Sequence, residues 1–143
     1  MTMDVKGNKV GAGFVLLKRD TFSTPSPLML ALVKDNGKYD IPKGHKDNNE
    51  TPMETARREC FEESSIMVQD RDVVYGSFVN GDLTMFCATT DQVPLITKNP
   101  ESGIVEHSGA KWISEEEFLK NCLSYLAPGV EYFYSEHKRA YNP

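Results

Sequence analysis

The stretch Tyr39 to Ser65, YDIPKGHKDNNETPMETARRECFEESS, constrains this chain more than any other. Thr51-Pro52-Met53-Glu54 is a capping box with proline at the first helical position, which predicts a helix over Pro52 to Ser64. At about 100° per residue, Glu59, Glu62 and Glu63 fall within one narrow sector of that helix. Met53, Ala56 and Cys60 form an adjoining apolar stripe suited to docking on a sheet. Three like charges on one helix face repel one another and destabilise the helix. Such a face is either plainly solvated or built around a cation.

Clustered carboxylate oxygens are hard ligands, suited to Mg²⁺ or Mn²⁺ and not to zinc. Ions of this kind keep several waters and bind substrate phosphates through the positions that remain. A spare carboxylate can accept a proton from an attacking water. Arg58 precedes Glu62 by one turn and can pair with it or hold a neighbouring carboxylate. Just upstream, Gly44 in IPKGH lets the backbone approach a ligand closely. Lys43 is a point charge suited to phosphate, with an ordinary solvated lysine as the plain alternative.

The rest of the chain reads as alternating strands and helices. Val10 to Leu17 and Leu28 to Val33 are short apolar runs separated by turn formers, giving strand, loop, strand. Val73 to Val79 and Leu83 to Thr89 flank Asn80-Gly81-Asp82, a strong hairpin signal. Asp91 to Gly109 reads as a long loop, and Ala110 to Ile113 as one more strand. Ser114 to Glu117 is a second capping box. It opens a helix with Phe118, Leu119, Cys122, Leu123 and Leu126 on one side, ended by Pro128. Val130, Phe133, Tyr134 and His137 then have the spacing of a short final helix. Together these elements predict an α/β (α+β) domain, a central sheet with helices packed on it.

With 143 residues, a single domain over 1–143 is expected, large enough to bury a core without disulfides. The three cysteines, Cys60, Cys87 and Cys122, lack a CxxC pair and read as reduced thiols of a cytoplasmic protein. No apolar run approaches about 18 residues, and MTMDVKGNKV lacks an apolar signal core, so neither a membrane span nor secretion is expected. The net charge of −5 argues against general nucleic-acid binding. An anionic substrate would need local help from a metal or a few placed cations.

Gly44, five residues, Glu50, seven residues, then Arg58-Glu59-Cys60-Phe61-Glu62-Glu63-Ser64-Ser65-Ile66 resembles the Nudix box. Two positions depart from that signature. Cys60 stands where a larger aliphatic residue is typical. Ser65 stands where glycine is usual, and serine is less comfortable than glycine in a left-handed cap, so a different exit from the helix is expected. The resemblance implies an α/β/α sandwich with a mixed sheet, and Mg²⁺- or Mn²⁺-dependent hydrolysis of a nucleoside diphosphate linked to another moiety. It implies Glu59 and Glu63 as the main metal ligands, with Glu62 close behind and the Gly44 carbonyl as a further ligand. Arg58 would orient the glutamates, and Glu50 would tie the loop to the helix.

YDIPKGH is similar to the W-D-L-P-K-G-H stretch of diadenosine polyphosphate hydrolases, with Tyr39 replacing tryptophan. Glu106-His107, followed by Trp112, resembles their later Glu-His segment. Related sequences act on ADP-ribose, flavin adenine dinucleotide and inositol pyrophosphates. The expected substrates are therefore dinucleoside polyphosphates, ADP-ribose or flavin adenine dinucleotide. Alternatives are sanitation of oxidised nucleoside triphosphates, 5′-cap removal from RNA, or a non-catalytic nucleotide-sensing domain. Glu63, Glu62 or Glu106 would accept the proton from water; Glu106 is either an added ligand or that base, with an ordinary loop carboxylate as the plain alternative. His107 either serves the site or caps a turn, and His45 is a candidate phosphate contact. Tyr39, Phe14, Phe78 and Tyr132 are candidate base-stacking residues, and Trp112 reads as core. The sequence leaves a homodimer open.

Overall fold

The structure, a computed structural model, describes residues 10–100 and 102–142. The reading of the extreme N-terminus lies outside the described residues, apart from Val10. The elements run β1 (Gly11–Lys18), β2 (Met29–Val33), β3 (Tyr39–Asp40), β4 (Lys43–His45), α1 (Pro52–Ser64), β5 (Val73–Asn80), β6 (Leu83–Thr90), β7 (Gly109–Ile113), α2 (Glu115–Asn121) and α3 (Ala127–Tyr141).

β1 is the keel of one mixed sheet. It pairs in parallel with β6 along its whole length, from Gly11↔Leu83 to Lys18↔Thr90. The unbroken apolar run in β1 follows from burial on both faces. Ala12, Phe14 and Leu16 belong to the core beneath α1, together with Ala56 and Cys60. Val15 and Leu17 belong to the core beneath α2 and α3, together with Phe118, Val130 and Phe133. The expected α/β/α sandwich is the observed architecture.

On its other side β1 meets β2 at Leu17↔Met29. The two strands then diverge, and the wedge between them is filled by residues 39–45. β3 pairs with the far end of β2 (Leu32↔Asp40, Val33↔Tyr39), while β4 pairs with the start of β1 (Gly11↔His45 to Gly13↔Lys43). β7 covers the outer side of β2. A Cβ on Gly13 would lie 2.5 Å from the Pro42 carbonyl oxygen, so glycine there lets the wedge segment lie against β1.

Several expectations need correction. The β5–β6 hairpin forms at Gly81 as predicted, but β5 is interrupted by a register shift between Val74 and Ser77. Tyr75 and Gly76 both have φ of 69° there, the signature of a bulge. The second helix stops at Asn121 and does not run to Leu126. The Leu123 N–H donates to the Tyr39 carbonyl at 3.0 Å, and Cys122 bridges to Tyr39, so the chain leaves the helix to join the sheet edge. Pro128 does not end that helix; it sits in the first turn of α3, where its missing N–H costs nothing. α3 is 15 residues long, and it buries Val130, Phe133, Tyr134 and His137 as the spacing predicts. Ser114 caps α2 by accepting from the Glu117 N–H, but the reciprocal arm of the box is absent. Glu117 instead accepts from the Tyr39 hydroxyl at 2.8 Å. Among the described residues, no helix is long and apolar enough to cross a membrane.

Candidate active site

α1 begins and ends as its sequence dictates. Thr51 and Glu54 close both arms of the capping box. Ser65 holds the left-handed cap (φ 63°) with its N–H donating to the Phe61 carbonyl, so the chain exits as it would with glycine, contrary to expectation. Helix rotation then divides the acidic trio. Glu59 and Glu63 lie on the buried side with Thr55, Cys60 and Ser64. Glu62 sits further round, its carboxylate 3.2 Å from the Arg58 guanidinium.

Arg58 is the hub of the loop before α1. It donates to Glu50 (2.8 and 3.1 Å), to Glu59 Oε1 (2.8 Å) and to the His45 carbonyl (2.8 Å). Glu50 also accepts from the Asp47 N–H and the Thr55 hydroxyl. These hydrogen bonds, those of Arg58 foremost, hold the Glu50 carboxyl down to about 2. The roles expected of Arg58 and Glu50, orienting the glutamates and tying the loop to the helix, match these contacts.

Gly44 presses against the Glu59 carboxylate so closely that a Cβ would overlap it. Its neighbour Lys43 donates its backbone N–H to Glu63 Oε1 at 3.0 Å. Burial pushes the Glu59 carboxyl up to about 7 although Arg58 opposes it. Burial, aided by the adjacent Glu106, pushes Glu63 up to about 10. Two adjoining carboxyls that resist ionisation are a ready place for a cation. Their oxygens, with the backbone of Gly44 and the carboxylate of Glu106, form the hard donor set that Mg²⁺ or Mn²⁺ takes, so these residues fit such an ion. Among the described residues, Glu63, Glu106 and His107 each bring one ligand atom within 4.8 Å of the others.

Gly44, Glu59, Glu63 and Glu106 line a cavity of about 640 Å³ that also includes Lys43, His45, Lys34, Asn80, Asp82 and Tyr125, with His107 buried behind it. Glu106 reaches it from the long loop, whose described residues between 91 and 108 carry no helix or strand. Among the cavity residues that sequence reasoning did not single out, two bear on Lys43. Asp40, buried in the wedge, accepts from the Lys43 ammonium at 3.0 Å and from His107 Nε2 at 2.9 Å. Its carboxyl is lowered even though burial opposes this, because His107 and Lys43 outweigh the burial. Tyr125 is the second, with the Lys43 ammonium 5.7 Å from its ring centre. Its signal was weak, one tyrosine among apolar residues read as the inner side of a helix. The candidate stacking residues do not reach the cavity. Phe14 is core, Tyr39 is buried against Phe118, and Phe78 packs on Tyr132 beneath α3.

A family model described as the NUDIX domain matches residues 8–133. The chain belongs to the Nudix hydrolase family. Solved Nudix structures share its fold. The C. elegans Ap4A hydrolase, in a binary complex, superposes with a TM-score of 0.65 at 17% identity, covering 90% of this chain and 96% of that one. A Nudix hydrolase of M. smegmatis superposes with a TM-score of 0.67 at 16% identity, covering 99% and 94%. The E. coli dihydroneopterin triphosphate pyrophosphohydrolase gives 0.63 at 18% identity, covering 89% and 95%. No curated protein sequence matches the chain. As a Nudix hydrolase, it belongs to a family that acts on small nucleotide substrates and generally uses divalent metal ions.

Proposed function

We propose that this Nudix domain cleaves a phosphoanhydride bond in a nucleoside diphosphate linked to a second group. Dinucleoside polyphosphates such as diadenosine tetraphosphate lead the substrate class, followed by ADP-ribose and flavin adenine dinucleotide. One observation carries the reading: Lys43, Glu59, Glu63 and Glu106 converge on a single cavity with an aromatic wall at Tyr125. Its volume, about 640 Å³, lies within the range of small-molecule sites. The likeness to the C. elegans Ap4A hydrolase supports the dinucleotide branch.

In this reading Glu59, Glu63, Glu106 and the Gly44 carbonyl hold Mg²⁺ or Mn²⁺. The bound ion supplies neutralisation of phosphate charge and a water of lowered pKa. Lys43 contributes a fixed positive charge to the bridging phosphates. Arg58 keeps Glu59 in place against Gly44, and Glu62 shares that guanidinium. Glu106, exposed where Glu59 and Glu63 are buried, accepts the proton of the attacking water at a carboxylate oxygen. Phosphoanhydride attack needs little covalent help, so positioning and fixed charge carry most of the rate gain. Tyr125 offers its half-exposed ring to a base.

The test is a panel with Mg²⁺: diadenosine tri- and tetraphosphate, ADP-ribose, flavin adenine dinucleotide, capped RNA and 8-oxo-dGTP, with products separated by chromatography. Turnover of a dinucleotide, lost on chelation and in Glu63→Gln, is the expected result. Preference for capped RNA or 8-oxo-dGTP would replace the substrate class. Nucleotide binding without turnover of any compound would make the domain a sensor.

A further inference from the structure

We propose that Asp40 is a positioning residue that sets the two reactive arms of the site at once, Lys43 directly and Glu106 through His107. The inference rests on the reading above, in which Lys43 meets phosphate and Glu106 takes the proton.

Asp40 ends β3 with its side chain only 2% exposed. Burying a carboxylate is costly unless its oxygens are met by donors. Both are. Oδ1 accepts from the Ile41 N–H at 2.8 Å and from the Lys43 ammonium at 3.0 Å. Oδ2 accepts from His107 Nε2 at 2.9 Å and from Lys43 at 3.2 Å. The first consequence concerns Lys43. Its ammonium is drawn to Asp40, three residues back, while its own backbone N–H serves Glu63. The cation is therefore parked at the cavity wall instead of neutralising Glu63, which leaves Glu63 for a metal and Lys43 for substrate.

The second consequence concerns the loop. Thr97 ties it to α1 through the Glu62 carbonyl at 2.7 Å, and Ser108 ties its end to the Val33 carbonyl at 2.7 Å. Described residues 102–106 are exposed, and His107 is the buried one among them and their neighbour Ser108. Together with the Ser108 tie, the His107–Asp40 bond holds the peptide from which Glu106 reaches Glu63, and the Glu106 carboxylate also accepts from the Asn99 amide at 3.4 Å. The two partners are 67 residues apart, so one carboxylate joins the strand segment carrying Lys43 to the loop carrying Glu106.

The experiment is steady-state kinetics of the full chain in saturating Mg²⁺, on the panel compound it cleaves best, with thermal melting alongside. His107→Ala is expected to lower kcat by about 10- to 100-fold, the scale of a misplaced reactive group, with KM little changed. His107→Gln keeps a donor near Nε2 and should restore most of kcat. In a Glu106→Gln background His107→Ala should cost nothing more, because coupled positions are not additive. Asp40→Asn should lower kcat and also raise KM, and the KM effect should vanish in a Lys43→Met background. Equal losses from His107→Ala in both backgrounds, or a fall in melting temperature with unchanged kinetics, would overturn the proposal. If Glu106→Gln alone leaves kcat intact, the proton-acceptor reading fails and takes the His107 arm with it, while the KM cycle still judges the Lys43 arm. Should His107→Ala not fold, the isosteric Asp40→Asn decides the matter: its cycle with Lys43→Met judges the Lys43 arm, and its kcat loss, expected to shrink in a Glu106→Gln background, judges the His107 arm.

Discussion

Glu59 and Glu63 face a conflict between folding and binding. Buried and raised to about 7 and about 10, they keep protons in the folded metal-free chain that they lose when unfolded above about 4.5. The folded state then binds more protons than the unfolded state, so metal-free stability falls as pH rises from about 4.5 through 7 and beyond. A divalent ion held by these carboxylates, as proposed, would replace those protons. The melting-temperature gain from Mg²⁺ over chelator should therefore be larger at pH 8 than at pH 6, and a gain independent of pH would contradict these shifts. Glu63→Gln mimics the protonated group. It should leave the metal-free melting temperature at pH 8 unchanged or higher while removing most of the Mg²⁺ gain. Glu50 has the opposite sign. Lowered to about 2, it contributes stability that is present above about 4.5 and lost as pH falls through 2. Glu50→Gln removes charged hydrogen bonds to Arg58 and should cost about 1.5–3 kcal/mol in denaturant unfolding at pH 7. The identity of the helix trio Glu59, Glu62 and Glu63 was legible in the sequence, because their spacing on one helix is local. Which of the three turn inward was not, because that depends on how far the helix rolls against β1.

α1 and the segment before it act as one device, with a helix cap, a hub arginine and a glycine against a carboxylate. Gly44→Ala would drive a Cβ into the Glu59 carboxylate. We expect about a 100-fold loss of kcat/KM, in keeping with a reactive group displaced by about 1 Å, with a smaller effect on melting. The cap is separable from the chemistry. Thr51→Ala should cost about 1 kcal/mol of stability and leave KM unchanged. Ser65, held at φ 63°, is the converse case. Ser65→Gly relieves left-handed strain and should stabilise by up to about 1 kcal/mol, less the exposed hydrogen bond from Ser65 Oγ to the Leu95 carbonyl. The α2–α3 region shows where local reading fails. Phe118, Cys122 and Leu126 are all buried, as their spacing predicts, yet the helix breaks between them. The cause is a partner far away in sequence, the Tyr39 backbone at the sheet edge.

The sandwich has two cores on opposite faces of one sheet, and Glu59 and Glu63 belong to the α1 face. Packing changes on the other face should then be felt in stability and not in catalysis. Gly129 in α3 lies against the Met85 sulfur, which a Cβ would overlap. Gly129→Ala should cost about 1–3 kcal/mol by overpacking while kcat/KM stays near wild type at 25 °C. A large catalytic loss in a folded Gly129→Ala protein would mean the two faces are coupled.

Local order carried α1, the strand pattern, the hairpin at Gly81 and the acidic sector into plain view. Capping, turn chemistry and periodicity act over a few residues, and a linear reading captures them. The wedge at residues 39–45, the bulge in β5, the break after α2 and the meeting of Asp40 with His107 were decided in three dimensions. So was Tyr125 at the cavity wall, while the candidate base-stacking residues Phe14 and Tyr39 went into the cores and Phe78 and Tyr132 packed against one of them. Each of these is settled by contacts between distant segments and by competition among buried groups for donors and space. A carboxylate such as Asp40 reveals its work only when its partners, 3 and 67 residues away, are folded against it.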